Sequence, residues 1–272
     1  MDTLTDNTLH SALSKEELLK QLEHLGVKSN MILEVHASLK SVGYVIGGAS
    51  SFVDALRETL SEGTLVMPSQ NIGNSEPLGW HQPPIEMRFA NKVRDNMPGY
   101  DIYHSDIHTM GALALNLRSR KSTYHSYHPN CAFMASGQDA RELMKAQPLN
   151  FPFGYGSPLD KMYHNENSYI LLIGVGYESA TGLHYAESIS EVRPIILQGG
   201  AVKKDGKDVW KKFMDYDLDC QDFVYLGKAM ERKKIVHVGK IGQAQAHLFN
   251  FRQATDFAID YFKERFGDKQ KC

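Results

Sequence analysis

Cysteine is scarce in this chain of 272 residues. Only three occur, Cys131, Cys220 and Cys272, and they are widely separated and odd in number. A disulfide framework needs paired cysteines, so the composition excludes a small disulfide-rich secreted fold and favours a reducing compartment. The first residues also lack the basic and apolar regions of a secretory signal peptide, and we therefore expect a cytoplasmic protein.

Long apolar runs and an excess of charge are also missing. No apolar run approaches the ~18 residues that a membrane span needs, so we expect no membrane partner. The chain has 30 basic and 32 acidic residues, which leave a formal net charge of −2. A nucleic-acid partner calls for a strongly basic surface, and this balance gives no reason to expect one.

Size and composition suit a globular protein with a substantial core. Hydrophobic residues make up 42% of the chain and charged residues 23%, which is ordinary for globular domains. The length allows one large α/β domain or two small ones. No repeat, low-complexity run or linker divides the chain. We therefore expect one domain over residues 1–272, with residues 1–12 as a frayed polar leader.

Hydrophobic periodicity predicts helices alternating with strands. Ser14-Lys-Glu-Glu17 has the form of a capping box, and leucines at helical spacing follow it. Apolar runs predict strands over 31–36, 64–67, 131–135, 169–175 and 233–239. Helices are expected to begin after the glycine-rich loop 43–48, over 110–117, 138–147 and 159–163, and directly after Gly242. This alternation predicts an α/β fold.

Two regions predict less regular structure. Residues 69–105 are rich in Pro, Gly and Asn, which predicts a long loop that is either a substrate-contacting flap or a surface excursion. Further along, the runs 195–197, 201–202 and 209–210 predict short strands around turns at Gly199-Gly200 and Asp205-Gly206.

The stretch with the clearest chemical meaning follows the fourth predicted strand. Residues 169–175 are nearly all apolar and are closed by glycines, as in a strand buried on both faces. Ser179 or Thr181 can then cap the helix that follows. His184 and Glu187 stand three residues apart, so on that helix they share one face.

Three interpretations of this spacing stay open at the level of the residues. A neutral imidazole can take a proton near neutral pH, with the neighbouring carboxylate fixing its tautomer, which makes His184 a candidate general base. Spacing alone favours a simpler alternative, in which His184 and Glu187 pair at the surface. A metal site is disfavoured, because no second His or Cys stands at the spacing that a zinc-binding helix needs, and we expect no metal.

Seven motifs occur in an order that is typical of one enzyme family. They are His36-Ala-Ser-Leu-Lys, Gly47-Gly48, Gly63-Thr-Leu-Val-Met-Pro68, Met110-Gly111, His128-Pro129, Ser157-Pro-Leu159 and Leu183-His-Tyr-Ala-Glu187. With these motifs in register from about residue 15 to residue 265, the sequence resembles the aminoglycoside 3-N-acetyltransferases. The resemblance implies one α-β-α domain of mixed β-sheets packed with helices, acetyl-CoA as co-substrate, and direct transfer of acetyl to an amine.

The resemblance also implies roles for individual residues. His184 would be the base, Glu187 would orient it, and Thr181 would hold the oxyanion. The implied contacts with acetyl-CoA are made by His36, Ser38, Leu39, Lys40, Val45, Ile46, Gly47, Met110, Gly111 and Ser157. Acids that can hold a cationic acceptor are Glu76, Glu86 and Asp215.

The chain departs from the family pattern at two positions. Many members carry an arginine just before the Met-Gly pair, where this chain has His108-Thr109, and a second arginine where it has His125. Loss of both cations weakens phosphate recognition unless Lys40, His108 or His125 substitutes.

Three functions are compatible with the resemblance. The leading one is acetylation of the 3-amino group of 2-deoxystreptamine aminoglycosides, as in antibiotic resistance. The alternatives are the same chemistry on a different amine, and a CoA-binding protein without turnover. A homo-oligomer is compatible with the sequence, which does not decide the oligomeric state.

Overall fold

A seven-stranded mixed β-sheet forms the centre of the fold. The computed structural model describes residues 11–81 and 83–267, so most of the predicted leader lies outside the described residues. The strand order is β3-β4-β2-β1-β5-β9-β8, and β6 and β7 form a separate two-stranded sheet. Strands β1, β2 and β5 run parallel, whereas the other pairings are antiparallel. The predicted α/β class with mixed sheets is confirmed.

The strands and helices follow one another along the chain as predicted in outline. The strands are β1 (Ile32–Ala37), β2 (Thr64–Pro68), β3 (Tyr124–His125), β4 (Phe133–Gly137), β5 (Ser168–Ile173), β6 (Ile195–Lys204), β7 (Lys207–Tyr216), β8 (Val236–Ile241) and β9 (Ala244–Asn250). The helices are α1 (Lys15–His24), α2 (Leu39–Val42), α3 (Gly48–Thr59), α4 (Met87–Asn96), α5 (Gly111–Arg118), α6 (Ala140–Met144), α7 (Pro158–Tyr163), α8 (His184–Ser190), α9 (Asp222–Arg232) and α10 (Phe251–Phe266).

Apolar side chains bury both faces of the large sheet. On one face, Leu33 and Val35 of β1 join a buried cluster with residues of α1, α3 and α5. On the other face, Ile170 and Leu172 of β5 join a second cluster with residues of α7, α8, α9 and α10. Burial of this kind is the main favourable term in folding, and it gives the predicted layers of helix, sheet and helix. None of the described helices is long and apolar enough to span a membrane.

Local sequence signals locate some boundaries well. The capping box is present: the Ser14 side chain accepts the backbone N–H of Glu17, and the Glu17 carboxylate accepts the N–H of Ser14. Ser157 caps α7, with Pro158 at its first position, as the Ser-Pro pair predicts.

Three predictions of secondary structure are wrong, and in the last two a distant partner decides the outcome. The predicted long loop contains α4. A further strand, β9, separates β8 from the last helix and pairs with β5. The predicted turn at Gly199-Gly200 lies inside β6, opposite Lys212 and Lys211. A Cβ on Gly199 would stand 2.6 Å from the Trp210 ring, so this glycine allows close packing and not a turn.

His128 holds the loop between β3 and β4. Its Nδ1 accepts the backbone N–H groups of Asn130 at 3.3 Å and Cys131 at 3.0 Å, so the proton sits on Nε2. Nε2 donates to the carbonyl oxygen of Leu149 at 3.1 Å, and the ring packs edge-on against Phe213. Burial lowers the pKa of His128 to about 4, and the ring is therefore neutral in the folded protein near neutral pH.

Exchange of this buried histidine should change how stability depends on pH. Because the folded pKa lies below the ordinary value of about 6.5, the unfolded chain binds the proton first, and stability falls as pH drops below 6.5. Between pH 7.5 and pH 5, His128 should contribute a loss of about 2 kcal/mol. In urea unfolding, we expect His128→Gln to be less stable than wild type at pH 7.5. The variant should, however, lack the additional loss of stability that wild type shows between pH 7.5 and pH 5.

The matched control is His237→Gln, which changes an exposed histidine on β8. It should retain the full pH dependence of the wild type. An equal loss of stability between pH 7.5 and pH 5 in wild type and His128→Gln would show that the buried ring does not stay neutral.

Candidate active site

A cleft opens where the parallel strands end. Its volume is about 370 Å³, and it is lined by the ends of β1 and β2, by the segment that follows β5 and by the start of α5. Carboxyl ends of parallel strands meet at one edge of an open α/β sheet, and ligands bind preferentially there. The lining includes His36, Ser38, Met110, Gly111, Thr181 and His184. Six residues from three separate predicted segments are thus brought together.

His184 and Glu187 make the contact that their spacing predicts. The two residues lie in the first turn of α8, and His184 Nδ1 is 2.7 Å from Glu187 Oε2. The Glu187 side chain is 0% exposed and that of His184 is 16% exposed. A fully buried carboxylate can only accept here, so the imidazole donates from Nδ1 and its other nitrogen, Nε2, is left as the basic atom. The pair lies in a cleft and not on the surface.

Two aromatic rings hold the imidazole of His184 in place. Phe153 stacks on it with ring centroids 5.4 Å apart and an interplanar angle of 20°, and Phe223 contacts it at 4.8 Å. Both phenylalanines are buried in the second apolar cluster. Ring packing and the carboxylate together fix the orientation of the ring and therefore of Nε2.

Glu187 has a cationic neighbour that offsets its burial. Its Oε1 accepts Arg193 Nε at 2.8 Å and the backbone N–H of Asp219 at 3.3 Å. Arg193 also pairs with Asp222, and its guanidinium lies 4.5 Å from the centre of the Phe266 ring. Burying an isolated carboxylate in this position would cost a large amount of free energy, and the ion pair with Arg193 offsets that cost. Sequence patterns did not reveal Arg193, because it lies beyond the end of α8, outside the helical spacing that links His184 and Glu187, and its other partner, Asp222, is 29 residues away.

The predicted side-chain cap of the helix that carries His184 is wrong. Two short 3₁₀ turns, Tyr177–Ser179 and Thr181–Leu183, precede α8, and no side chain of Ser179 or Thr181 caps them. The backbone N–H of Gly182 instead donates to Glu34 Oε1 at 3.1 Å. Thr181 remains free to line the cleft beside His184.

The residues expected to contact acetyl-CoA divide into three groups. Four of them line the cleft: His36, Ser38, Met110 and Gly111. Leu39, Lys40, Val45 and Gly47 line a second cavity of about 490 Å³ that begins directly after Ser38, and Ile46 is exposed in the same loop. Ser157 is fully buried as the cap of α7 and lines neither cavity, so we assign it no contact.

The candidate substitutes for the missing arginines differ in burial and in their hydrogen-bond partners. Neither ring nitrogen of His125 has a partner, and burial together with the nearby Arg118 lowers the pKa of His125 to about 4. That ring is neutral near pH 7 and supplies no cation. His108 is exposed and its Nδ1 lies 2.7 Å from Asp106, while Lys40 is exposed on the second cavity. Lys40 and His108 therefore remain as candidates.

The predicted acceptor acids are spread over the molecule. Glu76 pairs with Arg94, and the exposed Glu86 pairs with Arg88 at 2.9 Å; neither lines the cleft. The acid that does line it is Glu178, which sequence reasoning missed because nothing in its local pattern marks it. It is exposed at the rim, beside Thr181 in the chain.

Asp215 lies buried close to the His184 and Glu187 pair. It is 7% exposed, and its Oδ1 accepts the backbone N–H of Tyr216 at 2.8 Å. Burial raises the pKa of Asp215 to about 7; the N–H of Tyr216 and the nearby His184 lower it, and Glu187 raises it further. The protein thus holds a carboxyl beside the candidate base that changes charge near neutral pH.

Metal ligands do not cluster in this region. Among the residues that the structure describes, no group of three or more His, Cys, Asp or Glu side chains is placed to hold a metal ion.

Neutralising Asp215 should stabilise the protein mainly at high pH. Because the folded pKa lies above the ordinary 3.8, folding favours the protonated form, and stability is lost as pH rises from about 4 through about 7. Asp215→Asn removes that loss. In urea unfolding, we expect its free energy of unfolding to exceed that of wild type by about 4 kcal/mol at pH 8 and by only about 1 kcal/mol at pH 4.5. A stabilisation that is equal at both pH values would contradict the raised pKa.

Comparison with known proteins shows where the chain belongs. It matches the family model described as aminoglycoside 3-N-acetyltransferase over residues 35–263. It is 36% identical over 251 residues to the SPbeta prophage-derived aminoglycoside N(3')-acetyltransferase-like protein YokD of Bacillus subtilis (strain 168), with 92% of each chain covered. The crystal structure of YokD protein from Bacillus subtilis superposes with a TM-score of 0.90 at 34% identity, covering 96% of each chain.

Two more distant proteins agree with this match. The chain is 30% identical over 270 residues to aminoglycoside N(3)-acetyltransferase III of Pseudomonas aeruginosa, covering 92% of this chain and 94% of that one. The structure of AAC-VIa bound to sisomicin superposes with a TM-score of 0.82 at 26% identity, covering 94% of this chain and 99% of that one. The chain therefore belongs to the aminoglycoside 3-N-acetyltransferase family, which is a family of acyltransferases, as its motifs predict.

Proposed function

We propose that the protein transfers acetyl from acetyl-CoA to the 3-amino group of 2-deoxystreptamine aminoglycosides, with His184 as general base. The observation that carries the proposal is the 2.7 Å contact between His184 Nδ1 and the buried Glu187, which leaves Nε2 in the cleft as a base. A positioned base of this kind suits the removal of a proton from an attacking amine.

The two cavities fit a long and narrow co-substrate. Acetyl-CoA supplies an acetyl group activated as a thioester, with a phosphate-bearing end that must lie away from the reacting centre. Ser38 lines the cleft, and Leu39 and Lys40 continue the wall into the second cavity. We propose that the pantetheine arm follows this wall and that Lys40 faces the phosphates, with His108, next to the cleft-lining Thr109, as a second candidate contact.

Each residue of the pair has a defined task in the transfer. His184 Nε2 takes the proton from the amine as the amine nitrogen forms its bond to the acetyl carbon. Glu187 accepts from Nδ1 throughout and stabilises the imidazolium that forms. Thr181 donates its hydroxyl to the carbonyl oxygen as that atom gains negative charge. As the carbon–sulfur bond breaks, its electron pair stays on sulfur, and His184 returns the proton to it.

One acid in the cleft and one buried near it support a cationic acceptor. Glu178 lies on the rim beside the base, and Asp215 is buried near it. Two carboxylates of this kind favour a substrate with several ammonium groups, which is the chemistry of aminoglycosides. The names of the relatives point the same way, although YokD is named only as aminoglycoside acetyltransferase-like. Another polyamine is therefore the second candidate acceptor.

The state of the cysteines supports a reducing setting. Cys131 and Cys220 are both free thiols, and burial raises the pKa of each, which lowers their reactivity. We propose that the enzyme works in the cytoplasm.

Removal of the base should abolish most of the turnover. In a thiol-release assay with acetyl-CoA and a 2-deoxystreptamine aminoglycoside, His184→Ala should lower kcat by about 10²–10⁴, the usual contribution of a positioned base. The loss should exceed any change in KM, because the imidazole acts on the proton and not on binding.

The control for this variant is His237→Ala, an exposed histidine of β8 that is remote from the cleft. It should leave kcat unchanged. Near-normal acetylation by His184→Ala would refute the mechanism.

The rim carboxylate should govern acceptor binding. Glu178→Gln keeps the shape of the side chain and removes its charge, so KM for the aminoglycoside should rise about tenfold, as for the loss of a charge-assisted hydrogen bond. KM for acetyl-CoA should change by less than about twofold. The control is Glu166→Gln, an exposed acid paired with Arg252. An unchanged KM for the aminoglycoside would place acceptor binding elsewhere.

A screen of amines with labelled acetyl-CoA distinguishes the three candidate functions. Transfer to aminoglycosides supports the proposal. A flat response to aminoglycosides beside strong labelling of another amine would favour the second acceptor class. Calorimetric binding of CoA without transfer to any amine would indicate a binding protein without turnover.

A further inference from the structure

A second histidine–carboxylate pair lies beneath the catalytic turn. Glu34 and His36 are on β1, the central strand between β2 and β5, two residues apart and therefore on one face. Their side chains are 2.8 Å apart, from Glu34 Oε1 to His36 Nε2. Glu34 is fully buried, and its Oε2 has no hydrogen-bond partner among the described residues.

A carboxylate in this position is unexpected from packing alone. The face of β1 that bears Glu34 also bears Ile32, and in the neighbouring strand Glu34 stands opposite Ile170, both within the second apolar cluster. Burying a carboxylate among such neighbours costs free energy unless it makes compensating contacts. The contacts that it makes are therefore the reason to look for its function.

Those contacts hold the turn that carries the reacting residues. Glu34 Oε1 accepts the backbone N–H of Gly182 at 3.1 Å, and His36 Nε2 lies 3.4 Å from the backbone nitrogen of Thr181. A Cβ on Gly182 would stand 2.3 Å from Glu34 Oε2, so the turn and the carboxylate are packed directly against each other. The strand thus supplies the cap that the helix start lacks locally.

This arrangement leaves the Thr181 hydroxyl unused by the fold. Threonine near a helix start ordinarily accepts a backbone N–H two or three residues further on. Here no such bond is made, and Thr181 lines the cleft beside His184. If Glu34 did not hold the turn, the Thr181 side chain could turn inward to cap it.

We propose that Glu34 is a positioning residue for acetyl transfer: it caps the Thr181–Leu183 turn from the central strand, which keeps the Thr181 hydroxyl aimed into the cleft. This inference rests on the proposed function for its effect on catalysis. Its structural part, the capping of the turn by Glu34, stands on the contacts alone.

The first test compares two variants of Glu34. Glu34→Gln keeps an oxygen that can accept the Gly182 N–H, whereas Glu34→Leu has a similar size and offers no acceptor. Glu34→Leu should lower kcat by about 10–100-fold with KM for acetyl-CoA changed less than about threefold, since a small misplacement of reacting groups acts on rate more than on binding. Glu34→Gln should recover kcat to within about fivefold of wild type, because the accepting oxygen is kept.

A matched control separates this effect from general damage to the core. Ile32→Val removes one methylene from the same face of β1 without touching the turn. It should lower the unfolding midpoint and leave kcat unchanged. Equal kcat in wild type and in a folded Glu34→Leu would overturn the proposal, and so would a Glu34→Gln variant as slow as Glu34→Leu.

Two further measurements address the cause directly. Hydrogen–deuterium exchange in the peptide spanning residues 176–190 should be faster in Glu34→Leu and unchanged in Glu34→Gln. The kcat of the double variant Glu34→Leu/Thr181→Val should lie within about threefold of the kcat of Thr181→Val, because both changes disable the same group, the Thr181 hydroxyl. Fully multiplicative losses would contradict a route through Thr181.

The exchange measurement also keeps the two proposals apart. If the wild type acetylates no amine, the proposed function fails, and the exchange of the turn still decides whether Glu34 caps it. If the wild type is active and the exchange is the same in all variants, only the positioning role of Glu34 fails.

Discussion

The buried carboxylate of Glu187 accepts hydrogen bonds from two sides, and the geometry of the active site depends on it. One oxygen receives His184 Nδ1 at 2.7 Å and the other receives Arg193 Nε at 2.8 Å. The first contact sets the tautomer of the imidazole, and the second offsets a charge that would otherwise be too costly to bury. Phe153 and Phe223 then fix the ring by packing. The contact with Glu187 leaves Nε2 as the candidate base, and Arg193 and the two rings hold that arrangement in place.

The sheet decides where this base is presented. Strands β1, β2 and β5 are parallel, so their carboxyl ends converge on one edge, and the loops that leave them line a common cleft. Different candidate residues come from different strands at that edge. The end of β1 carries His36 and Ser38, and the segment after β5 carries Glu178, Thr181 and His184. Burial near this edge also raises the pKa of Asp215, and shifted pKa values of this kind are common at functional sites.

Sequence patterns predicted the parts of this site that depend on local order. The apolar run that became β5 and the three-residue spacing of His184 and Glu187 required no knowledge of the fold, and the capping box at Ser14 was equally local. What they could not predict depends on residues far apart in the chain. Glu34 accepts a backbone N–H from a turn 148 residues away, Arg193 is held by Asp222, 29 residues further along the chain, and β9 is defined by its pairing with β5 and β8. The pair Gly199-Gly200 predicts a turn when only the local sequence is considered. The Trp210 ring that requires a glycine at position 199 lies on the neighbouring strand.

The central claim is that His184 Nε2 stands where an acetyl thioester is delivered. The measurement that tests it most directly is a crystal structure of the protein with CoA bound. The account predicts that the CoA sulfur lies in the cleft within about 4–5 Å of His184 Nε2, close to the reach needed for proton transfer and attack, with the chain of CoA passing Ser38 and Lys40. A CoA molecule whose sulfur ends outside the cleft lined by His36, Thr181 and His184 would contradict it.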